Sequence, residues 1–308
     1  MNYNKWIKLN THDLSNKTAA ITGSTGGLGN EIVKTLATLN CNLILMNRNL
    51  TRSTEQKNEL LRINPNIKID LIELDLCNFD QVKAVVKNLK DKQIDFLIHN
   101  AAVYNVPVFK TSTGFNNVFQ TNFISPYYIT KELLSNLNKN NSKVIIVSSI
   151  AHNYNKLNAN DIDFSTSKKH SHIYGNSKRF LTYSFVSLFE NSTSATLSIT
   201  NPGITLTNIT NHYPKAINWL VKIGIKAIFP NPKKATLNIV KGLFETTKNE
   251  WITPQIFDIW GSSAKKHISK FESNEAEQIF NIAEDIYNKI KDWLLSISLF
   301  CYVFANQI

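Results

Sequence analysis

Short apolar runs alternate with stretches of helical spacing along most of this chain. "TAAIT" (18–22), "NLILM" (42–46), "IKIDLIEL" (67–74), "IDFLIHN" (94–100), "KVIIVSS" (143–149) and "ATLSITN" (195–201) are rich in Val, Ile and Leu. They read as strands buried on both faces. Between them, "GNEIVKTLATLN", "TRSTEQKNELLRI", "DQVKAVVKNLK" and "FNNVFQTNFISPYYITKELLSNLN" carry the spacing of helices with one buried face. Six strands separated by helices require right-handed crossovers. The pattern predicts an α/β fold, a doubly wound parallel sheet flanked by helices on both faces. No repeat or linker divides residues 1–260. One domain over residues 1–292 is expected, followed by an apolar tail at 293–308. Residues 204–232 differ, mixing Trp219 and Phe229 with lysines and ending in "PNP". An insertion over the C-terminal edge of the sheet is expected there, where ligands bind in such folds.

Composition narrows the function classes. Hydrophobic residues make up 43% and charged residues 19%, a globular balance rather than a disordered one. The net charge of +11 comes from lysines scattered among asparagines, without a nucleic-acid-binding signature. No nucleic-acid partner is expected. Cys41, Cys77 and Cys301 are far apart and odd in number, which suggests neither a disulfide framework nor a metal site. That fits a reducing, cytoplasmic compartment. The polar N-terminus lacks the apolar core of a signal peptide. The tail "WLLSISLFCYVFANQI" is short for a membrane span, and is expected to dock as a short helix on the protein or a membrane surface. Peripheral membrane association is compatible with that reading. Lys215, Lys222 and Lys226, beside the apolar run "INWLVKIGIKAIF", add to it.

"TAAITGSTGGLGNEIVKTLA" is a strand, a glycine turn and a helix. Gly23 can leave the strand in a tight turn, Gly27 lets backbone approach a pyrophosphate, and Gly29 lets helix and strand pack closely. The helix N-terminus then faces the phosphates with its partial positive charge. The second strand ends in "LILMNRN", with Arg48 and no carboxylate. Free ribose hydroxyls call for an acid here and a 2′-phosphate for a cation, so NADP(H) is the cofactor expected. His170 and His172 have no third ligand at plausible spacing, and no metal is expected.

"TGSTGGLG", "LDL" (74–76), "HNAAV" (99–103), "TNFISPYYIT" (121–130), "VIIVSSIAH" (144–152), "YGNSK" (174–178) and "NPGITLTNI" (201–209) follow one another in this order. Together they resemble the short-chain dehydrogenase/reductase family, over roughly residues 15–260. The "RN" after the second strand, the "SSIAH" and the long gap before the tyrosine are similar to its retinol-dehydrogenase-like branch. The resemblance implies a Rossmann-like fold and catalytic roles for Asn122, Ser149, Tyr174 and Lys178. It implies cofactor contacts from Gly23, Ser24, Thr25, Gly27, Leu28, Gly29, Arg48, Asp75, Leu76, Asn100 and Ala101. Tyr174, Lys178, Pro202, Gly203 and Thr207 would complete them, although Pro202 and Gly203 also suit a plain strand-ending turn. A homodimer is compatible with the family. Ala102 departs from the pattern, standing where the family usually has glycine.

The residue types suit hydride exchange with a carbonyl or alcohol. A tyrosine has a reference pKa of about 10, too high for ready proton exchange at neutral pH. Lys178, one turn along a helix from Tyr174, places an ammonium on the same face, and that charge together with the oxidised nicotinamide is expected to lower that pKa. It also has donors for ribose hydroxyls. Ser149 can donate to the substrate oxygen, and Asn122 is expected to anchor a water beside the lysine. Strand alternation lets only one of Ser148 and Ser149 face the cofactor, and the family pattern selects Ser149. The expected activity is an NADP(H)-dependent oxidoreductase acting on a small, apolar carbonyl or alcohol. A catalytically silent NADP(H)-binding scaffold is the alternative.

Overall fold

The computed structural model describes residues 3–190, 194–203, 232–247, 249–268 and 273–305. The six expected strands form at Thr18–Thr22 (β1), Asn42–Asn47 (β2), Ile69–Glu73 (β3), Phe96–His99 (β4), Lys143–Val147 (β5) and Thr196–Thr200 (β6). Glu250–Ile256 (β7) and Trp260–His267 (β8) extend them to an eight-stranded sheet of order β3-β2-β1-β4-β5-β6-β7-β8. The first seven strands pair in parallel. β8, which the hydrophobic pattern did not predict, returns antiparallel to β7 at the edge of this parallel sheet. Pro254 interrupts the apolar run of β7, and "GSSAKK" in β8 has none. An edge strand with one unpaired side tolerates such residues, so the pair carried no strand signal.

The helices are Tyr3–Asn10 (α1), Gly27–Thr38 (α2), Leu50–Ile63 (α3), Phe79–Leu89 (α4), Asn117–Phe119 (α5), Ser125–Lys139 (α6), His170–Glu190 (α7), Pro232–Phe244 (α8) and Ser273–Ala305 (α9). They form two layers. One core joins α4, α6, α7 and α9 to the sheet through residues such as Val82, Leu133, Phe180 and Ile279. The other joins α1, α2, α3 and α8 through Trp6, Ile32, Leu60 and Ile239. Asparagine supplies much of the punctuation. Asn49, Asn78 and Asn116 cap α3, α4 and α5 by accepting backbone N–H bonds. Asn16, Asn40, Asn105 and Asn141 take left-handed conformations, with φ of 48–66°.

α9 runs unbroken to Ala305, so residues 293–305 continue a long helix instead of forming a separate short one. No helix among the described residues is long and apolar enough to cross a membrane. The insertion expected at 204–232 lies outside the described residues up to 231, as does Thr207. The excursion before α7 opens with a 3₁₀ turn, Ile150–Asn153, and is pinned where the Asn116 N–H donates to Asp163 at 2.6 Å.

Between α5 and α6 the chain makes a π turn, Gln120–Ile124. Such wide turns recur at functional sites. Phe119 and Phe123 meet Phe180 of α7 at ring distances of 4.9 and 5.2 Å. Each aromatic pair contributes about 0.5–1.5 kcal/mol beyond its buried area. Together they fix the π turn, and Asn122 within it, against α7.

Candidate active site

The strand order reverses between β1 and β4, and a cleft opens beyond the carboxyl ends of such strands. A cavity of about 510 Å³ lies there. Its walls come from the glycine loop after β1, from Met46 to Arg48, from Leu74 to Cys77 and from Asn100 to Val103. Gly23 has φ of +69°, and a Cβ there would sit 2.9 Å from Ala101 Cβ. A Cβ on Gly29 would lie 2.3 Å from the Gly23 carbonyl oxygen. Only glycine permits this loop to fold back against α2 and β4. The Asn100 amide donates to the Thr22 and Gly23 carbonyls at 3.1 and 3.0 Å, fastening loop to strand.

A second brace lies behind the loop. The Ser24 hydroxyl donates to Gln56 at 2.6 Å and accepts from Asn47 at 2.7 Å. The Gln56 amide returns to the Ser24 carbonyl and to Asn30, both at 2.8 Å. Ser24 is therefore buried, and its hydroxyl turns inward rather than toward the cavity. Thr25, Gly27, Leu28, Gly29, Arg48, Asp75, Leu76, Asn100 and Ala101 all line the cavity. One Asp75 oxygen accepts the Cys77 N–H at 2.9 Å, fixing the turn after β3. The residues thus suit a dinucleotide: a glycine cradle at a helix N-terminus, an exposed arginine and an apolar slot.

The predicted catalytic groups gather beside the Val103 end of this cavity. Asn122 grips the Val103 backbone with both ends of its amide, at 2.8 and 3.0 Å, and donates to Ser177 of α7 at 3.0 Å. Tyr104 then meets the Tyr174 ring edge-on at 5.1 Å. The Ser149 side chain lies close enough to the Tyr174 phenol to lower its pKa, and its hydroxyl accepts the Ala151 N–H at 3.2 Å. Ser148 faces the other way, its hydroxyl 2.6 Å from that of Thr182. Lys178 is buried and donates to the Val147 carbonyl at 2.7 Å. No carboxylate pairs with it among the described residues. Burial pulls its pKa down to about 7. Burial also pushes Tyr174 up to about 12, opposed by the Ser149 side chain. The ammonium lies 5.8 Å from the ring centre and is turned to the Val147 carbonyl.

Pro202 and Gly203 form a turn outside the cavity lining. Gly203 has φ of +77°, and a Cβ there would lie 2.8 Å from the Ile259 carbonyl oxygen of the β7–β8 hairpin. Sequence reasoning did not single out Gln56 or Tyr104, and it gave Asn47 and His152, within "LILMNRN" and "SSIAH", no role of their own. Their roles depend on residues distant in the chain. One local signal was available: Arg179 is a cation inside the otherwise apolar helix segment "RFLTYSFVSLF".

Comparison with known proteins agrees with this geometry. The family described as short chain dehydrogenase matches residues 17–218. Human polyprenol dehydrogenase is 28% identical over 223 residues, 69% of this chain and 66% of that protein. Human retinol dehydrogenase 14 is 28% identical over 237 residues, 70% of each. Short-chain dehydrogenase TIC 32 A of Brassica napus is 29% identical over 222 residues, 66% of this chain and 68% of that protein. Among solved structures, an uncharacterized protein from Mycobacterium paratuberculosis superposes with a TM-score of 0.71 at 20% identity, covering 91% of this chain and 96% of the other. A short-chain dehydrogenase from Sphingobium yanoikuyae in complex with NADPH superposes at 0.58 with 18% identity, covering 74% and 84%. These structural likenesses show a shared fold. With cleft, motifs and sequence match in agreement, this chain belongs to the short-chain dehydrogenase/reductase family, in its retinol-dehydrogenase-like branch, and is an oxidoreductase.

Proposed function

We propose that the protein is an NADP(H)-dependent oxidoreductase that exchanges a hydride with an apolar carbonyl or alcohol. The observation that carries the reading is the gathering of Ser149, Tyr174 and Lys178 beside the Val103 end of the cleft, with Asn122 bonded to Val103 and to Ser177 of the same helix. When bound, the nicotinamide supplies or accepts the hydride. Gly23, Thr25, Gly27, Leu28 and Gly29 would hold the pyrophosphate at the N-terminus of α2. Arg48 would meet the 2′-phosphate, and Asp75 and Leu76 the adenine. Asn100 and Ala101 would floor the cleft, Lys178 would bind ribose hydroxyls, and Pro202, Gly203 and Thr207 would face the carboxamide.

Ser149 orients the substrate oxygen and stabilises charge developing on it. Tyr174 donates the proton that the oxygen needs in carbonyl reduction. Its raised pKa keeps that proton in place at neutral pH. Asn122 holds the Val103–Tyr104 wall against α7. Val103, Val106, Pro107 and Phe109 line the same end of the cavity, and this supports an apolar substrate.

The test is Tyr174→Phe, which keeps the ring and removes the transferable proton. NADPH oxidation is first screened against aldehydes, ketones and quinones. The variant should then bind NADPH as the parent does, while turnover falls by roughly 10²–10⁴. Parental turnover with chemistry rate-limiting would remove this mechanism.

A further inference from the structure

The Ser149 carbonyl is held twice by one residue. His152 approaches it with its backbone N–H at 3.1 Å and with Nδ1 at 2.7 Å. The carbonyl of His152 is in turn held by Arg179 Nη1 at 2.9 Å. Arg179 follows Lys178 on α7 and is almost fully buried. Its other face meets Glu275, in the first turn of α9. Nε donates to Glu275 Oε1 at 2.9 Å, and Nη2 pairs with Oε2. The same Oε1 accepts the Leu157 N–H at 2.7 Å, from the loop leaving the 3₁₀ turn. Glu275 thus closes a circuit through α7 and both ends of the segment that carries Ser149. Gly175, next to Tyr174, narrows the tolerance: a Cβ there would lie 2.6 Å from the Ala151 carbonyl oxygen. The 3₁₀ turn and the catalytic helix touch backbone to backbone.

We infer that Arg179 and Glu275 are positioning residues, through which the C-terminal helix sets the alignment of Ser149 against Tyr174. A buried guanidinium keeps one geometry while its carboxylate is present. Without it the charge must find another partner, and the His152 carbonyl is released. Ser149 also opposes the rise that burial causes in the phenol's pKa, so slack in this circuit reaches proton transfer. The inference rests on the proposed roles of Ser149 and Tyr174.

The experiment compares Glu275→Gln with Glu284→Gln in the full chain. Glu284 lies on the same helix but bonds Tyr127 and Lys131 of α6, away from the 3₁₀ turn. Both variants are expected to lower Tm. Only Glu275→Gln should lower kcat, on the order of ten- to a hundredfold, the scale of sub-ångström to ångström misplacement. It should also move the pH profile of kcat upward and leave NADPH affinity within about twofold. The probes are decanal, acetophenone and menadione. A crystal structure of the variant reads the Ser149–Tyr174 separation without any substrate, and that separation should increase. Arg179→Lys, which keeps the charge but loses the fork, should act alike if Glu275→Gln does not fold. Equal kcat losses in Glu275→Gln and Glu284→Gln would overturn the inference. So would an unchanged Ser149–Tyr174 separation in the variant crystal. If Tyr174→Phe keeps full turnover, the catalytic reading fails first. If Tyr174→Phe is inactive while Glu275→Gln keeps the parental kcat and pH profile, this inference alone fails.

Discussion

Asn47 and Arg48 are neighbours with opposite duties. Asn47 is buried, giving its amide to Ser24 and accepting the Thr25 N–H at 3.4 Å. It is committed to the shape of the glycine loop and has little left for a ribose. In the proposed function, recognition at this end of the cleft falls to Arg48, which is exposed, lines the cavity and lies near enough to act on the Cys77 thiol. A guanidinium grips a phosphate with charge-assisted, often paired, hydrogen bonds. Arg48→Ala should therefore raise the NADPH dissociation constant by about tenfold, since bonds to charged groups contribute about 1.5–3 kcal/mol before solvent screening. The NADH constant should change by less than about threefold. Fluorescence titration with both cofactors measures this, and equal weakening of the two would refute it.

At the scale of elements, the decisive contact is the packing of α7 on the 3₁₀ turn. The close approach leaves no room for a methyl group at Gly175, where Asn155 Nδ2 and Tyr154 Cβ would also lie 3.2 Å away. Gly175→Ala should push the helix from the turn, costing about 1–3 kcal/mol as overpacking does. Urea denaturation reads the stability. Turnover under conditions where the variant remains folded should fall as well, because Tyr174 moves with the helix. Retained turnover with retained stability would mean that the turn yields easily. None of this was visible in "YGNSK" itself. Strands β1 to β6 were legible because Val, Ile and Leu cluster where both sheet faces are covered. Tyr174, Lys178, Ser149 and Asn122 were legible as members of ordered motifs. Arg179 and Glu275 were not, being 96 residues apart with no pattern to join them. β8 escaped notice because an edge strand needs no apolar face.

The whole molecule carries buried bases that tie its stability to pH. Burial pulls His99 down to about 3 and His152 down to about 4. Unfolded, each titrates near the reference value of about 6.5. Between these values the unfolded chain binds protons that the native state refuses, so stability falls as pH drops below about 6.5. Lys178 acts in a higher window. Its folded pKa of about 7 lies below the reference value of about 10.4, so stability rises as pH climbs between them. The urea midpoint should thus increase from pH 5 to pH 9. His152→Asn keeps a donor for the Ser149 carbonyl and should flatten the acidic limb by up to about 1.4 kcal/mol per pH unit. An unchanged acidic slope would show that His152 does not titrate there. The docking of α9 has a further consequence, in the order of birth of the parts. The cavity walls are complete once residue 121 has been made, whereas Glu275 arrives after another 150 residues or so. At about 5–20 residues per second, α7 waits several seconds on the ribosome before α9 follows it. Throughout that interval the segment that carries Ser149 lacks its last brace, so the alignment of Ser149 against Tyr174 is among the last features of the fold to be completed.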